Sequence, residues 1–252
     1  MKRQDRWASI IEMCKYQDEV KSADISKELK ISLATVRRDL QMMEELGMII
    51  RTHGGCRINT MQTNEPPMLL KSGQNSSGKY MVGRYAATLI KDNMMIYIDA
   101  GSATYSMLPY ITAKNITVVT IGIPHISRLM EKNIRTIVLG GTVRPSTQAI
   151  TGMVTMEQIK NFYFDIAFIG VNGIHPIYGL STTNEFEAVV KKEVIAHSAS
   201  SYALADSTKF NVIIPSSFAT INGIKIITDS IGDYEGDTGS IIQVKPLFDK
   251  QQ

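Results

Sequence analysis

From Met94 onward the chain alternates two textures, and that alternation restricts its fold more than any other feature. Short apolar runs at 94–99 (MMIYID), 116–120 (ITVVT), 135–139 (RTIVL), 165–170 (DIAFIG), 202–205 (YALA) and 225–228 (KIIT) read as strands. Between them, residues 81–91, 104–112, 124–132, 153–161 and 185–198 carry the spacing of helices. Strands that are apolar along their whole length have both faces covered. Such strands alternating with helices predict an α/β domain built on a mostly parallel sheet. In sheets of that kind ligands bind beyond the carboxyl ends of the strands.

The polar loops fall at those ends. Asp99, Gly101, Ser102 and Thr104 follow the first run and open a helix; glycine lets backbone approach a ligand, and hydroxyls with helix N–H groups suit a phosphate. Gly140 and Gly141 follow another run, with Arg144 near enough to supply charge. Asp206 and Lys209 follow a later one, offering an acceptor for sugar hydroxyls and a cation for phosphate. Each loop alone is an ordinary turn or cap; three at one sheet edge predict a small-molecule pocket. Lys191 and Lys192 are weaker candidates, since a lysine pair on a helix is usually a solvated face. Glu185 and Glu187 give a rival reading, because a carboxylate near Asp99 and Lys209 would resemble the acid/base set of a sugar-phosphate isomerase.

Residues 1–58 have a different texture, and 59–77 (with Pro66-Pro67 and polar punctuation) read as a linker to a second domain at 78–252. Trp7, Ile10, Ile11 and Cys14 repeat as the stripe of a helix. Ser22 can cap a second helix that buries Ile25 and Leu29, and Lys30-Ile31 make a tight turn. Ser32 can cap a third helix with Val36, Leu40 and Met43 inside, and Gly47 sits where a helix ends. Met48-Ile50 and Cys56-Ile58 then read as a hairpin about Thr52-His53-Gly54-Gly55. Three helices and a hairpin predict a winged helix-turn-helix.

At roughly 100° per residue, Arg38 points away from Val36 and Leu40, with Arg37 on its flank and Thr35 near the helix start. The first turns of the second helix of such a motif enter the major groove. Arginine there bonds guanine edges or phosphates. Arg51, His53 and Arg57 flank the Gly-Gly turn, where a wing can reach phosphate or a minor groove. An exposed arginine pair is usually only solvated. Here the capped turn, buried stripe and basic wing are in register, which selects the reading that Ser32, Thr35, Arg37, Arg38, Arg51, His53 and Arg57 meet double-stranded DNA. Asp39 reads as structural, paired to an arginine, because a carboxylate near phosphates repels.

Charge must act locally. The chain carries +3 overall; residues 1–60 hold 11 Lys+Arg against 9 Asp+Glu, and the remainder 16 against 15. That balance argues against a sequence-independent DNA-coating protein. The two cysteines, Cys14 and Cys56, are far apart in sequence, which predicts two reduced thiols and no zinc site. The stretch MKRQDRW lacks an apolar run and the longest apolar runs are too short to span a bilayer, so a cytoplasmic protein with no membrane partner is expected. No metal or cofactor is expected.

The stretch TVRRDLQMMEELGMIIRTHGG, residues 35–55, resembles the signature of DeoR-type bacterial transcriptional regulators. DAGSAT (99–104), VLGGTVR (138–144), FDIAFIGVNGI (164–174) and ADSTKF (205–210) are similar to later motifs of that family, in the same order. The resemblance implies a repressor of a carbohydrate-utilisation operon. Its sensor domain, similar in fold to ribose-phosphate isomerases, would bind a small phosphorylated sugar effector. A single winged helix reads few base pairs, so a homodimer or homotetramer is expected. The chain departs from the family pattern at Ile121-Gly122, where Asn-Ser is usual, at Gly78-Lys79 in place of Glu-Lys, and at Lys71 in place of arginine.

Overall fold

A computed structural model of the chain describes residues 3–17, 19–45, 48–58 and 75–245. The chain divides into an amino-terminal compact unit ending at Gln74 and a carboxyl-terminal one beginning at Asn75.

The first unit has helices α1 (Arg3–Tyr16), α2 (Ser22–Leu29) and α3 (Leu33–Glu45) and strands β1 (Val20–Lys21), β2 (Ile49–Arg51) and β3 (Gly55–Ile58). The expected stripes form one core: Trp7, Ile10, Ile25, Val36, Leu40 and Met43 are all at most 1% exposed. Ser32 caps α3, its Oγ accepting from the Thr35 N–H at 3.2 Å. Ser22 does not cap α2; it is the first helical residue, and its own N–H donates to the Gly54 carbonyl at 2.8 Å. Lys30, in the left-handed region at φ 51°, makes the turn between α2 and α3. The expected hairpin is present as β2–β3, but β1 pairs antiparallel with the other side of β3 and makes it the middle strand of three. A two-residue strand is too short to announce itself by alternation. Gly47 lies outside the described residues, as do Lys71 and 59–74 of the expected linker.

The second unit opens with helix Ser76–Thr88, which begins two residues before the end of the run that reads as linker; Asn75 caps it, accepting from the Gly78 N–H at 3.3 Å. The strands are β4 (Met95–Ile98), β5 (Thr117–Thr120), β6 (Arg135–Val138), β7 (Thr142–Arg144), β8 (Ala149–Thr151), β9 (Ile166–Gly170), β10 (Gly173–His175), β11 (Gly179–Thr182), β12 (Ser201–Ala205), β13 (Ser216–Ala219), β14 (Lys225–Thr228) and β15 (Ile241–Gln243). Seven of them form one sheet in the order β15-β14-β12-β9-β4-β5-β6, and every pairing in it is parallel. All six strands expected from the apolar runs belong to it. Two apolar layers cover its faces, and successive residues serve opposite layers: Tyr97 packs in one, Ile96 and Ile98 in the other. The hairpin β7–β8 and the antiparallel sheet β10-β11-β13 were not expected; they stand on the loops beyond the parallel sheet.

The strand order contains one reversal of winding. From β4 the chain winds outward through β5 to β6, and from β9 it winds the other way through β12 and β14 to β15. The direction reverses between the neighbours β4 and β9. At such a switch point the connections leave in opposite directions and open a crevice at the carboxyl ends of the strands.

Candidate functional site

In the first unit the expected DNA contacts are built on a rigid scaffold. One side of α3 is locked by Val36, Leu40 and Met43. Asp39 is also inward, 2% exposed, and takes a two-pronged bond from Arg6 of α1: Nε to Oδ2 at 2.6 Å and Nη2 to Oδ1 at 2.9 Å. The expected arginine partner of Asp39 is therefore on another helix, and it ties α1 to α3. Ser32, Arg37, Arg38, Arg51, His53 and Arg57 are exposed and Thr35 is half-buried. Ser32 and Thr35 share a hydroxyl contact at 2.9 Å. Beyond β2, the Thr52 N–H donates to the Gly55 carbonyl at 3.1 Å, closing the turn that carries His53 and Gly54. The arginines thus sit on fixed backbone with their side chains in solvent.

In the second unit the carboxyl ends of β4 and β9 carry charge that is buried and paired. Asp99, one residue past β4 and 1% exposed, accepts from the Gly170 N–H across the switch point at 2.9 Å. The Lys191 ammonium lies against the other side of this joint, donating to Asp99 Oδ2 and to the Gly170 carbonyl, the latter at 3.0 Å. One helical turn earlier, Glu187 accepts from Arg144 of β7 at 2.8 Å and from the Thr182 hydroxyl of β11 at 3.0 Å. Both come from helix Glu185–Ala196, which Asn184 caps through the Glu187 N–H at 3.1 Å. Below them Tyr97 is fully buried. Burial first, and then the carboxylates of Asp99 and Glu187, raises its phenol well above the ordinary range, so it stays protonated.

The remaining expected residues take varied positions. Ser102 is buried at the start of helix Ser102–Met107. Gly101 is in extended backbone, and a Cβ there would make only ordinary contacts, at 3.5 Å from Thr104 Oγ1. Thr104 turns its hydroxyl inward, to the Asp99 carbonyl at 2.6 Å and the His125 ring at 3.1 Å, so it holds the loop instead of facing a ligand. Gly140 and Gly141 are exposed, and Gly140 is tied to the following helix: Gln158 accepts from its N–H at 2.8 Å and Thr155 donates to its carbonyl at 2.8 Å. Gly141 needs its glycine, with φ +151° and a would-be Cβ 2.3 Å from Thr155 Oγ1. Asp206 caps the short helical turn Ser207–Lys209 and lies 3.5 Å from Lys79, both buried. Lys209 is half-buried.

Two readings change. Lys191 is a buried partner of Asp99 while Lys192 is solvated, and Glu187 is buried while Glu185 is exposed. The signal was available: Glu187, Lys191 and Val194 stand at i, i+4 and i+7, so two charges occupy the apolar stripe of a helix. The departures from the family pattern also find reasons. A Cβ on Gly122 would fall 2.4 Å from the His125 ring, so the ring sits where a larger residue at 122 would need room. Burial lowers the pKa of His125 to about 3, so the ring is neutral. Gly78 leaves room for the Asp229 carboxylate, 2.3 Å from where its Cβ would lie, and Asp229 accepts from the Ser207 N–H at 2.7 Å.

Two family models match the chain: a DeoR-like helix-turn-helix domain over residues 6–62 and a DeoR C-terminal sensor domain over residues 74–230. The chain belongs to the DeoR family. A curated DeoR-type relative, the uncharacterized HTH-type transcriptional regulator FruR of Bacillus subtilis, is 37% identical and covers 89% of this chain and 90% of its own. The lactose phosphotransferase system repressor of Staphylococcus epidermidis is 28% identical, over 93% and 95%. The transcriptional repressor GlcR of Bacillus subtilis is 29% identical, over 92% and 90%. Among solved structures, ribose 5-phosphate isomerase from Plasmodium falciparum is 18% identical over 52% of each chain, with a TM-score of 0.39. The translation initiation factor eIF-2B of Pyrococcus horikoshii is 14% identical over 85% of this chain and 74% of its own, with a TM-score of 0.45. The curated relatives of this DeoR-family chain are regulators, which sets the isomerase reading aside. No helix among the described residues is long and apolar enough to cross a membrane.

Proposed function

We propose that this DeoR-family chain represses a carbohydrate-utilisation operon and leaves its operator when a phosphorylated sugar binds the sensor unit. The repressor names of its relatives support the first half. For DNA, α3 supplies Ser32, Thr35, Arg37 and Arg38, and the wing supplies Arg51, His53 and Arg57. Two copies or four would read repeated half-sites, because one winged helix spans too few base pairs.

The observation that carries the effector half is the buried pair Asp99–Lys191 at the β4/β9 switch point. Burying two ions is costly and replaceable by apolar packing. A paired charge at a ligand crevice has a use that packing lacks, because a polar ligand can exchange partners with it. A sugar hydroxyl can donate to Asp99, and a phosphate can accept from Lys191, Arg144 or Lys209 near the loops at 99–104, 140–144 and 206–209. Since only a difference in affinity between two states moves an equilibrium, the sugar must bind the form with low operator affinity more tightly.

The test is thermal unfolding of the whole chain against phosphorylated sugars and their unphosphorylated parents. A ligand at a hundred times its Kd adds about 2.7 kcal/mol. That moves the transition of the second unit by roughly 5–10 °C. A shift with one phosphorylated compound and not its parent is expected. No shift with any of them would overturn the effector class and leave the DNA reading standing.

A further inference from the structure

The chain has two cysteines, 42 positions apart, and the fold brings them together. Cys14 is on the last turns of α1 and Cys56 on β3, the middle strand of the wing sheet. Their sulfurs are 3.7 Å apart in the core of the first unit, both as free thiols. We propose that Cys14 and Cys56 are a dithiol that hydrogen peroxide closes to a disulfide, and that closure weakens DNA binding through the wing.

Three observations carry this beyond chance proximity. First, no other thiol competes, since these are the chain's only cysteines. Second, the two are unequal. Contact with the Cys56 S–H lowers the Cys14 pKa, while the same contact and burial raise that of Cys56. Cys14 is therefore the more easily ionised of the two, and it keeps 5% of its surface exposed where Cys56 keeps none. The more easily ionised thiol is thus on the less completely buried residue, the side from which a small oxidant would enter. Third, the bridge would join two elements with different duties. A disulfide is about 2.0 Å long, so the sulfurs must close from 3.7 Å, by turning their side chains or by drawing α1 and β3 together. Arg57 follows Cys56 directly, and β3 is bonded to both β1 and β2, so any movement of β3 on closure passes to Arg57 and to the turn carrying His53.

The chemistry balances with peroxide as the oxidant. The Cys14 thiolate attacks one peroxide oxygen, the O–O bond breaks, and Cys14 becomes a sulfenic acid with release of hydroxide. Cys56 then attacks the Cys14 sulfur, the S–O bond breaks, and the second oxygen leaves with the Cys56 proton as water. Two electrons leave the sulfur pair, and peroxide ends as one water and one hydroxide, which takes back from solvent the proton that the Cys14 thiol gave up on ionising. A dithiol reductant such as dithiothreitol reverses the bond by exchange.

The experiment uses the reduced full-length chain and a small excess of hydrogen peroxide. After exposure, intact mass should fall by two hydrogens and no thiol should titrate in guanidinium. Non-reducing digestion should yield one peptide joining Cys14 to Cys56. A duplex selected by the reduced protein from a random-sequence pool should bind several-fold more weakly to the oxidised form and recover with dithiothreitol. Cys14→Ala, which keeps the slower thiol, should bind that duplex equally well before and after peroxide. Two thiols still titrating after peroxide, or their loss without the linked peptide, would overturn the site. A bond that forms and leaves duplex affinity unchanged would overturn its action on the wing.

Discussion

The two units place their candidate functional residues in opposite environments. In the winged helix-turn-helix, Arg37, Arg38, Arg51, His53 and Arg57 are exposed, and the fold beneath them does not use them. In the sensor unit, Asp99, Lys191, Glu187 and Asp206 are buried, and each is paired with another charge. A DNA surface must face a large flat partner, so its residues are free of the fold. A small-molecule crevice must enclose its ligand, so its residues become structural as well. Mutation should therefore separate function from stability in the first unit and entangle them in the second.

The largest effect expected from that contrast is at Asp99. Asp99→Ala leaves the Lys191 ammonium buried with only the Gly170 carbonyl. Breaking one half of a buried ion pair costs about 3–5 kcal/mol. The urea midpoint of the second unit should fall accordingly. Asp99→Ala with Lys191→Met should restore much of the loss, because no uncompensated charge is left. By comparison, Arg37→Ala and Arg38→Ala should each change stability by no more than about 0.5 kcal/mol. If Asp99→Ala is tolerated as well as Arg38→Ala, the contrast between the units fails.

The same contrast explains what the sequence could tell. Exposed residues on a periodic helix are legible, because Val36, Leu40 and Met43 define the inward face and Arg38 is opposite. The parallel sheet was legible for a similar reason: its strands are continuous apolar runs. Pairing between buried charges was not, since Lys191 meets Asp99 across 92 positions and Arg6 meets Asp39 across 33. Nothing local in the sequence encodes such a partner. The short antiparallel pieces were missed because strands of two to four residues carry too little alternation to read. The meeting of Cys14 with Cys56 was invisible for the same reason as the ion pairs.

Next in size is the effect on DNA. Arg38→Ala should weaken binding to a selected duplex by about 1–3 kcal/mol and relax sequence preference at one base pair. Arg57→Ala should instead weaken all sequences alike and make the salt dependence shallower by about one phosphate contact. An Arg38→Ala protein that stays folded and binds its duplex as before would remove the exposed face of α3 from the interface.

A smaller effect is a pH dependence belonging to the sensor unit. The folded pKa of His125 is about 3, below the ordinary value of 6.5, because the buried ring cannot be charged. The unfolded chain therefore takes up a proton that the folded one refuses. Stability from this residue is complete above pH 6.5 and is lost as pH falls from there toward 3. The loss runs at about 1.4 kcal/mol per pH unit. Urea midpoints between pH 7 and pH 5.5 should show it, and His125→Gln should flatten the slope while leaving Thr104 a partner. An unchanged slope in that variant would assign the dependence to other groups.

The smallest expected stability change sharpens the comparison most, because it lies within one dipeptide. Gly55 is required by the fold: a Cβ there would sit 1.9 Å from the Val20 carbonyl oxygen of the neighbouring strand. Gly54 is not, for a Cβ there meets nothing within 4 Å. Gly54→Ala should therefore leave stability within about 0.5 kcal/mol of the parent. It should nevertheless weaken duplex binding if the wing's backbone approaches the phosphates closely, as its neighbours His53 and Arg51 suggest. Full affinity in Gly54→Ala would mean that the wing touches DNA through long side chains alone. In that case Arg51 and Arg57 would carry the whole wing contribution, and losing both should remove it.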